Sequence, residues 1–167
     1  MKVAVLATGP SMSQAVADRA RAECDAVVVV NKAMELAPWA DALAANDHAF
    51  WRVFPHAKQF AGRKFSANKI EGVEQIESTL VSRQSSSGVL GLAVAQILGA
   101  TKVELHGFEN HGDHYFGRYD EPLRNTPASR YIVFAEQLRA LGFEMQKAGI
   151  RIVNRTPNTS LRCFEVA

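Results

Sequence analysis

The chain has 167 residues, the size of one domain, enough to bury a core without metals or disulfides. Its charged residues make up 22% and balance to +2 with histidines neutral, with no block of one sign. Duplex nucleic acid is therefore not demanded as a sequence-independent partner, although Lys58, Arg63, Lys64 and Lys69 form a local patch able to touch phosphate. Cys24 and Cys163 stand far apart and in no metal-ligand spacing, so they read as free thiols of a reducing cytoplasm. One lysine before a short apolar strand is too little for a secretory leader, and no stretch approaches the ~20 apolar residues of a membrane span. The expectation is a soluble, cytoplasmic protein.

The opening, Lys2-Val3-Ala4-Val5-Leu6-Ala7-Thr8-Gly9-Pro10-Ser11, is a strand that stops at a tight turn and leads into a helix over Met12 to Cys24. A helix start leaves backbone N–H groups unpaired at the positive end of its dipole, which suits an anion. Gly9 lets a ligand approach, Pro10 fixes the turn, and Ser11 either caps the helix or offers its hydroxyl to phosphate. Replacing Ser11 by Ala should then weaken nucleotide binding by about 1–2 kcal/mol. Ala15, Val16, Ala20 and Cys24 give that helix one face for packing.

Ala26-Val27-Val28-Val29-Val30-Asn31 is β-branched without alternation, the mark of a parallel strand buried on both faces. Asn31 ends it and either reads a base or sugar hydroxyl beyond the strand or caps a short helix, Lys32 to Ala37. A third strand, Asp41 to Ala45, ends in Asn46-Asp47-His48, before a helix His48 to Phe54 whose aromatic residues serve the core. From His56 to Arg83 the pattern is weaker: short strands at Lys58 to Ala61 and Arg63 to Ser66, then a short helix or irregular excursion over Ile70 to Thr79.

Ser85-Ser86-Ser87-Gly88 opens a helix that is apolar nearly all round, ending at Gly99. Its small residues Gly91, Ala93 and Ala95 permit close approach to a sheet. Its serine-rich start is a second anion-binding candidate, or a plain turn. The strand Lys102 to Gly107 then runs into Phe108-Glu109-Asn110-His111-Gly112-Asp113-His114-Tyr115-Phe116-Gly117-Arg118-Tyr119-Asp120, the densest set of reactive side chains in the chain. Three readings of this loop stay open. His111 and His114 with Glu109 or Asp113 bind a metal. Alternatively residues 108–127 form a lid over a nucleotide, with Tyr115 or Tyr119 donating to phosphate and an imidazole or carboxylate as general base. Or the loop is merely solvated.

Pro127 precedes a long amphipathic helix, Ala128 to Lys147, with Tyr131, Phe134, Ala135, Leu138 and Leu141 on one side. A last strand, Ile150 to Asn154, and the polar turn Thr156-Pro157-Asn158-Thr159-Ser160 follow. Five or six strands alternating with helices build an α/β, Rossmann-like, doubly wound and mostly parallel sheet in a single domain.

In this order, the Gly9-Pro10-Ser11 turn, the strand-end Asn31 and Asn46, Ser86-Ser87-Gly88, the strand and acidic turn through Glu109, and the Thr156 to Ser160 turn resemble the small bacterial sialyltransferases. They are also similar to the wider sialyltransferase-like and pterin-pyrophosphokinase-like Rossmann proteins, many of them phage-encoded. The resemblance implies that Gly9, Pro10, Ser11, Asn31, Asn46, Ser86, Ser87, Gly88 and Glu109 surround a cytidine nucleotide. It further implies that Tyr115 holds the departing phosphate, with His111 near a second tyrosine position. That family's base is a histidine just ahead of the long helix, where this chain reads Pro127-Ala128-Ser129-Arg130-Tyr131. Either the base has moved, to His114 or Asp113, or the chemistry differs; in the alternative, Arg130 and Arg118 stabilise a pyrophosphate leaving group without acting as base.

The resulting expectation is a glycosyltransferase that moves a sugar from a nucleotide donor to a hydroxyl acceptor, whether glycan, metabolite or modified DNA base. Pyrophosphokinase-like transfer from ATP, in which a divalent metal would join the His111, Asp113 and His114 group, is one alternative. A non-catalytic nucleotide-binding module is another, and self-association stays open.

Overall fold

The β-branched run at Ala26–Val30 forms strand β2, and it lies at the centre of the molecule because it has no polar face to give to water. The computed structural model describes residues 1–167. β2 pairs in parallel with β1 (Lys2–Leu6) on one side and with β3 (Ala42–Ala44) on the other. Beyond these lie β4 (Arg63–Ser66), β5 (Glu74–Gln75), β6 (Lys102–His106), β7 (Arg151–Asn154) and β8 (Glu165–Val166). The eight strands make one sheet in the order β5-β4-β3-β2-β1-β6-β7-β8, and every neighbouring pair runs parallel. The fold is α/β, Rossmann-like and doubly wound.

The pleat of β1 shows how both faces are filled. Val3 and Val5 join one core cluster, while Ala4 and Leu6 join the other. Helices α1 (Gln14–Glu23) and α2 (His48–Val53) supply Ala17, Ala20, Phe50 and Trp51 to the second cluster. Helices α3 (Ser87–Ile97) and α4 (Ala128–Lys147) cover the first with Val89, Leu90, Leu138, Leu141 and Met145. A Cβ at Gly91 would stand 2.7 Å from Val30 Cγ2 and 3.1 Å from Val5 Cγ1, so glycine sets how closely α3 meets the sheet.

The chain winds outward from β1 to β5, and α3 then carries it back across the sheet to β6 on the other side of β1. This reversal opens a crevice between the carboxyl ends of β1 and β6, the place where sheets of this kind bind ligands.

Several boundaries differ from those read in the sequence. There are eight strands rather than five or six, because β5 and β8 are two-residue edge pairings with no hydrophobic signature. Residues Pro55–Gln59 form a 3-10 helix where a strand was expected at Lys58 to Ala61, since Pro55 presets helical φ. No helix forms over Ile70 to Thr79; this stretch holds β5 instead. The first helix begins at Gln14, with Ser13 rather than Ser11 as cap, its hydroxyl accepting from Val16 N–H at 3.4 Å. No helix is long and apolar enough to cross a membrane.

One feature of the sheet had no sequence signal. Glu104 of β6 is 2% exposed, on the same face as its register partner Ala4, with Lys102 at 2.7 Å, Arg155 at 3.1 Å and Lys2 at 3.2 Å. Burial alone would raise its pKa, but these three cations hold the carboxyl down at about 2.

Candidate functional site

A cavity of about 540 Å³ opens at the carboxyl ends of β1, β2, β3 and β6, between the starts of α3 and α4. Its size suits a nucleotide-sized ligand. Of the site residues expected from the sequence, Gly9, Asn31, Asn46, Ser86, Ser87, Gly88, His111, Asp113, His114 and Arg130 all line it. Pro10, Ser11, Glu109 and Tyr115 do not.

The reason Ser11 falls outside lies in Glu109. The carboxylate of Glu109, 3% exposed, takes the anion position of the Gly-Pro-Ser turn from within: its Oε1 accepts the Ser11 N–H at 2.7 Å. A Cβ at Gly9 would collide with Glu109 Oε2 and the Gly107 carbonyl. Gly9 therefore makes room for a side chain of the protein, and that turn is not open to an external phosphate. Glu109 Oε2 itself is buried without a partner.

At the end of β2, Asn31 adopts a left-handed φ of 51°, a conformation that asparagine tolerates better than most residues. Its Oδ1 is buried and unpartnered, so the side chain does not cap the 3-10 helix Asn31–Glu35 that follows. Asn46, by contrast, is fully engaged. Its Nδ2 donates to the carbonyls of Ser82 at 3.0 Å and Ser85 at 2.7 Å, and its Oδ1 accepts from Ala67 N–H at 2.9 Å. Its backbone N–H donates to Ser87 Oγ at 3.0 Å. Asn46 is thus the fastening that holds the serine turn against the ends of β3 and β4.

The turn so held presents the first turn of α3 to the cavity. Ser86 caps the helix, its hydroxyl accepting from Val89 N–H at 3.3 Å, while Gln137 accepts the Ser86 N–H at 3.2 Å. The N–H groups of Ser87 and Gly88 have no protein acceptor and belong to residues that line the cavity. Unpaired N–H groups at the positive end of a helix dipole suit an anion.

In the loop after β6, His114 is placed for chemistry. Its Nδ1 lies 2.8 Å from Thr8 Oγ1, its ring stacks on Phe116 at 4.9 Å and 8°, and Nε2 has no protein partner. Burial lowers its pKa below the ordinary histidine value, opposed by the Thr8 backbone and Asp113. Tyr119 meets the same ring edge-on at 4.9 Å. Its hydroxyl is buried without a partner, and burial pushes its pKa far above the ordinary tyrosine value.

Tyr115 is turned away. Its hydroxyl donates to the Lys32 carbonyl at 2.9 Å, it packs on the core beside α1 and α2, and burial pushes its pKa up to about 12. Tyr115, expected to hold the departing phosphate, lies outside the cavity lining; Tyr119 is the tyrosine of this loop that lines it. His111 Nε2 is tied to the Asn158 carbonyl at 2.8 Å, and exposed Asp113 faces Arg118 at 3.9 Å. His111, Asp113 and His114 therefore do not converge, and no group of three His, Cys, Asp or Glu side chains in the chain is placed to hold a metal ion.

The cavity has a charged mouth and an apolar wall. Arg83, Arg124 and Arg130, from three separate segments, line it without a carboxylate partner, against Asp47 and Asp113. Asp47 is occupied as the cap of α2. Phe108, Leu123, Phe134, Leu138 and Leu161 make the apolar side. Thr8, Arg83 and Arg124 were not foreseen as site residues. Thr8 sat in the quoted opening, one residue before Gly9, and only its hydroxyl chemistry marked it. No protein-family profile, no characterised protein and no solved structure matches the chain significantly.

Proposed function

We propose that the chain is a transferase that binds a nucleotide-activated donor in this cavity and moves its group, a sugar in the leading form, to a hydroxyl acceptor. A cytidine nucleotide is the first ligand to test, following the resemblance to the sialyltransferases. The observation that carries the reading is the meeting, in one cavity, of the open N–H groups of Ser87 and Gly88, the unpartnered Asn31 and Tyr119, and His114, whose Nδ1 is held by Thr8. The first of these suits a phosphate, the second pair suits hydroxyl or amino groups, and the third suits proton abstraction.

In this proposal the phosphate sits at the start of α3, where N–H groups and the helix dipole meet its charge. Asn31 Oδ1 accepts a hydrogen bond from the nucleoside. His114, in the tautomer whose Nδ1–H donates to Thr8 Oγ1, takes the acceptor's hydroxyl proton on Nε2. The acceptor oxygen forms a bond to the donor carbon as the bond from that carbon to the phosphate oxygen breaks. The electron pair leaves with the nucleotide, and the guanidinium of Arg130 with the α3 N–H groups stabilises the charge that develops. Asp113 is too exposed and too close to Arg118 to serve as well.

A second reading, transfer of a pyrophosphoryl group from ATP to a hydroxyl, is favoured by the arginines at the mouth, which outnumber what one phosphate needs. Calorimetric titration with CMP, CDP, UMP, UDP and ATP separates the readings. Binding of a cytidine or uridine nucleotide at one equivalent supports sugar transfer, preference for ATP supports the second reading, and binding of none defeats both.

A further inference from the structure

Beside the cavity, and sharing Tyr119, Leu123, Arg124 and Arg130 with it, runs an adjoining groove that also contains Arg118, Glu121, Pro122, Asn125 and Pro127. Three guanidinium groups stand around it. The acidic groups facing them are Glu121 and, across an exposed gap of 3.9 Å, Asp113. The arginines are not randomly placed surface charges, because the segment that carries two of them is braced. Asn125 closes it by accepting the Tyr119 N–H at 2.8 Å and donating to the Tyr119 carbonyl at 2.9 Å, while Leu123, 8% exposed, pins its middle into the protein.

The third arginine brings an independent feature. Arg130 lies in the first turn of α4, a helix of 20 residues whose cap is Pro127. Proline offers no side-chain acceptor, and no Asp or Glu stands in that first turn. No carboxylate of the first turn therefore compensates the positive end of this dipole, which adjoins the groove through Arg130. Guanidinium groups gathered along a braced segment suit bidentate binding of phosphate or carboxylate.

We propose that this groove is an outer anion subsite, which takes a second phosphate or a carboxylate beyond the one held at the start of α3. Its ligands are Arg118, Arg124 and Arg130. The proposal rests on reading the cavity as a nucleotide site, since the groove opens from it past Tyr119 and Leu123. Two sources supply the same chemistry: the next phosphate of the donor, or an anionic group on the acceptor.

The test compares the wild-type chain with the variant Arg118→Gln, an exposed position that lines the groove and not the nucleotide cavity. Affinities are measured for CMP against CDP, AMP against ADP, and inorganic phosphate and pyrophosphate. A donor phosphate in the subsite predicts that a diphosphate binds wild type at least roughly tenfold tighter than its monophosphate, in keeping with one charge-assisted hydrogen-bonded group. The ratio should fall to near unity in the variant while monophosphate affinity stays unchanged.

Equal affinities for mono- and diphosphate, with inorganic phosphate still binding the monophosphate-saturated protein and losing that binding in the variant, assign the subsite to the acceptor. Equal affinities with no second phosphate bound, or a ratio that the variant leaves intact, overturn the proposal. If no nucleotide binds, pyrophosphate decides alone: binding that the variant abolishes keeps the subsite while the nucleotide reading falls, and no binding removes both.

Discussion

At His114 one hydrogen bond divides the ring's two nitrogens between structure and chemistry, because Thr8 engages Nδ1 and leaves Nε2 to the cavity. His114→Ala should lower kcat by about 100-fold or more while the donor Kd stays within about twofold. Because burial depresses the ring's pKa, kcat/KM should rise with pH through an apparent pKa below the ordinary ~6.5 of histidine. The same depression, shared by half-buried His106, bears on stability. The unfolded chain binds these protons more readily, so stability is complete above pH ~6.5 and declines as pH falls below it.

Ser11 carries the opposite lesson: its backbone, not its hydroxyl, is used, and by Glu109. Ser11→Ala should therefore leave nucleotide affinity unchanged, reversing what the sequence led us to expect. Glu104 carries a pH-dependent share of the stability. Its folded pKa of about 2 lies below an unfolded value near 4.3, so its contribution is present above that value and is lost as pH falls toward 2. Glu104→Gln should cost about 3 kcal/mol at pH 7, measured by denaturant unfolding, since three cations would lose their shared partner.

Among the elements, α3 does two jobs that pull on its sequence differently. Its body must approach the sheet, which small residues allow, and its start must face the ligand, which the serine turn allows. Gly91→Ala should destabilise the chain by about 1–3 kcal/mol through contact with Val30 and Val5, without altering ligand affinity at saturating folded fraction. Both properties of α3 were legible: an apolar run with glycine and alanine, opened by three serines. What orders the turn was not, because Asn46 acts from a distant strand end and its bonding partners, Ser82, Ser85, Ala67 and Ser87, carry no sequence pattern that joins them. The start of α1 misled for a related reason, as Ser11 and Ser13 are both reasonable caps and only tertiary contact from Glu109 decides between them.

For the molecule as a whole, the unbroken β-branched β2, the strand-then-helix alternation and the polar strand ends made the doubly wound sheet and the cavity at its carboxyl edge readable in advance. The edge strands β5 and β8 were not, since two residues carry no period. Nor were Tyr115 and Tyr119 separable by type or spacing; the direction of the loop decides which one reaches the cavity.

The central claim is that the carboxyl edge of this sheet grips a phosphate-bearing nucleotide. Amide NMR spectra recorded while a nucleotide is titrated in test it residue by residue. The account predicts saturable shifts at Ser87, Gly88, Asn31 and Tyr119, with Ser11 and Tyr115 nearly unmoved. Saturable binding whose largest shifts fall on α1 and the Ser11 turn, or no shifts with any nucleotide, would contradict it.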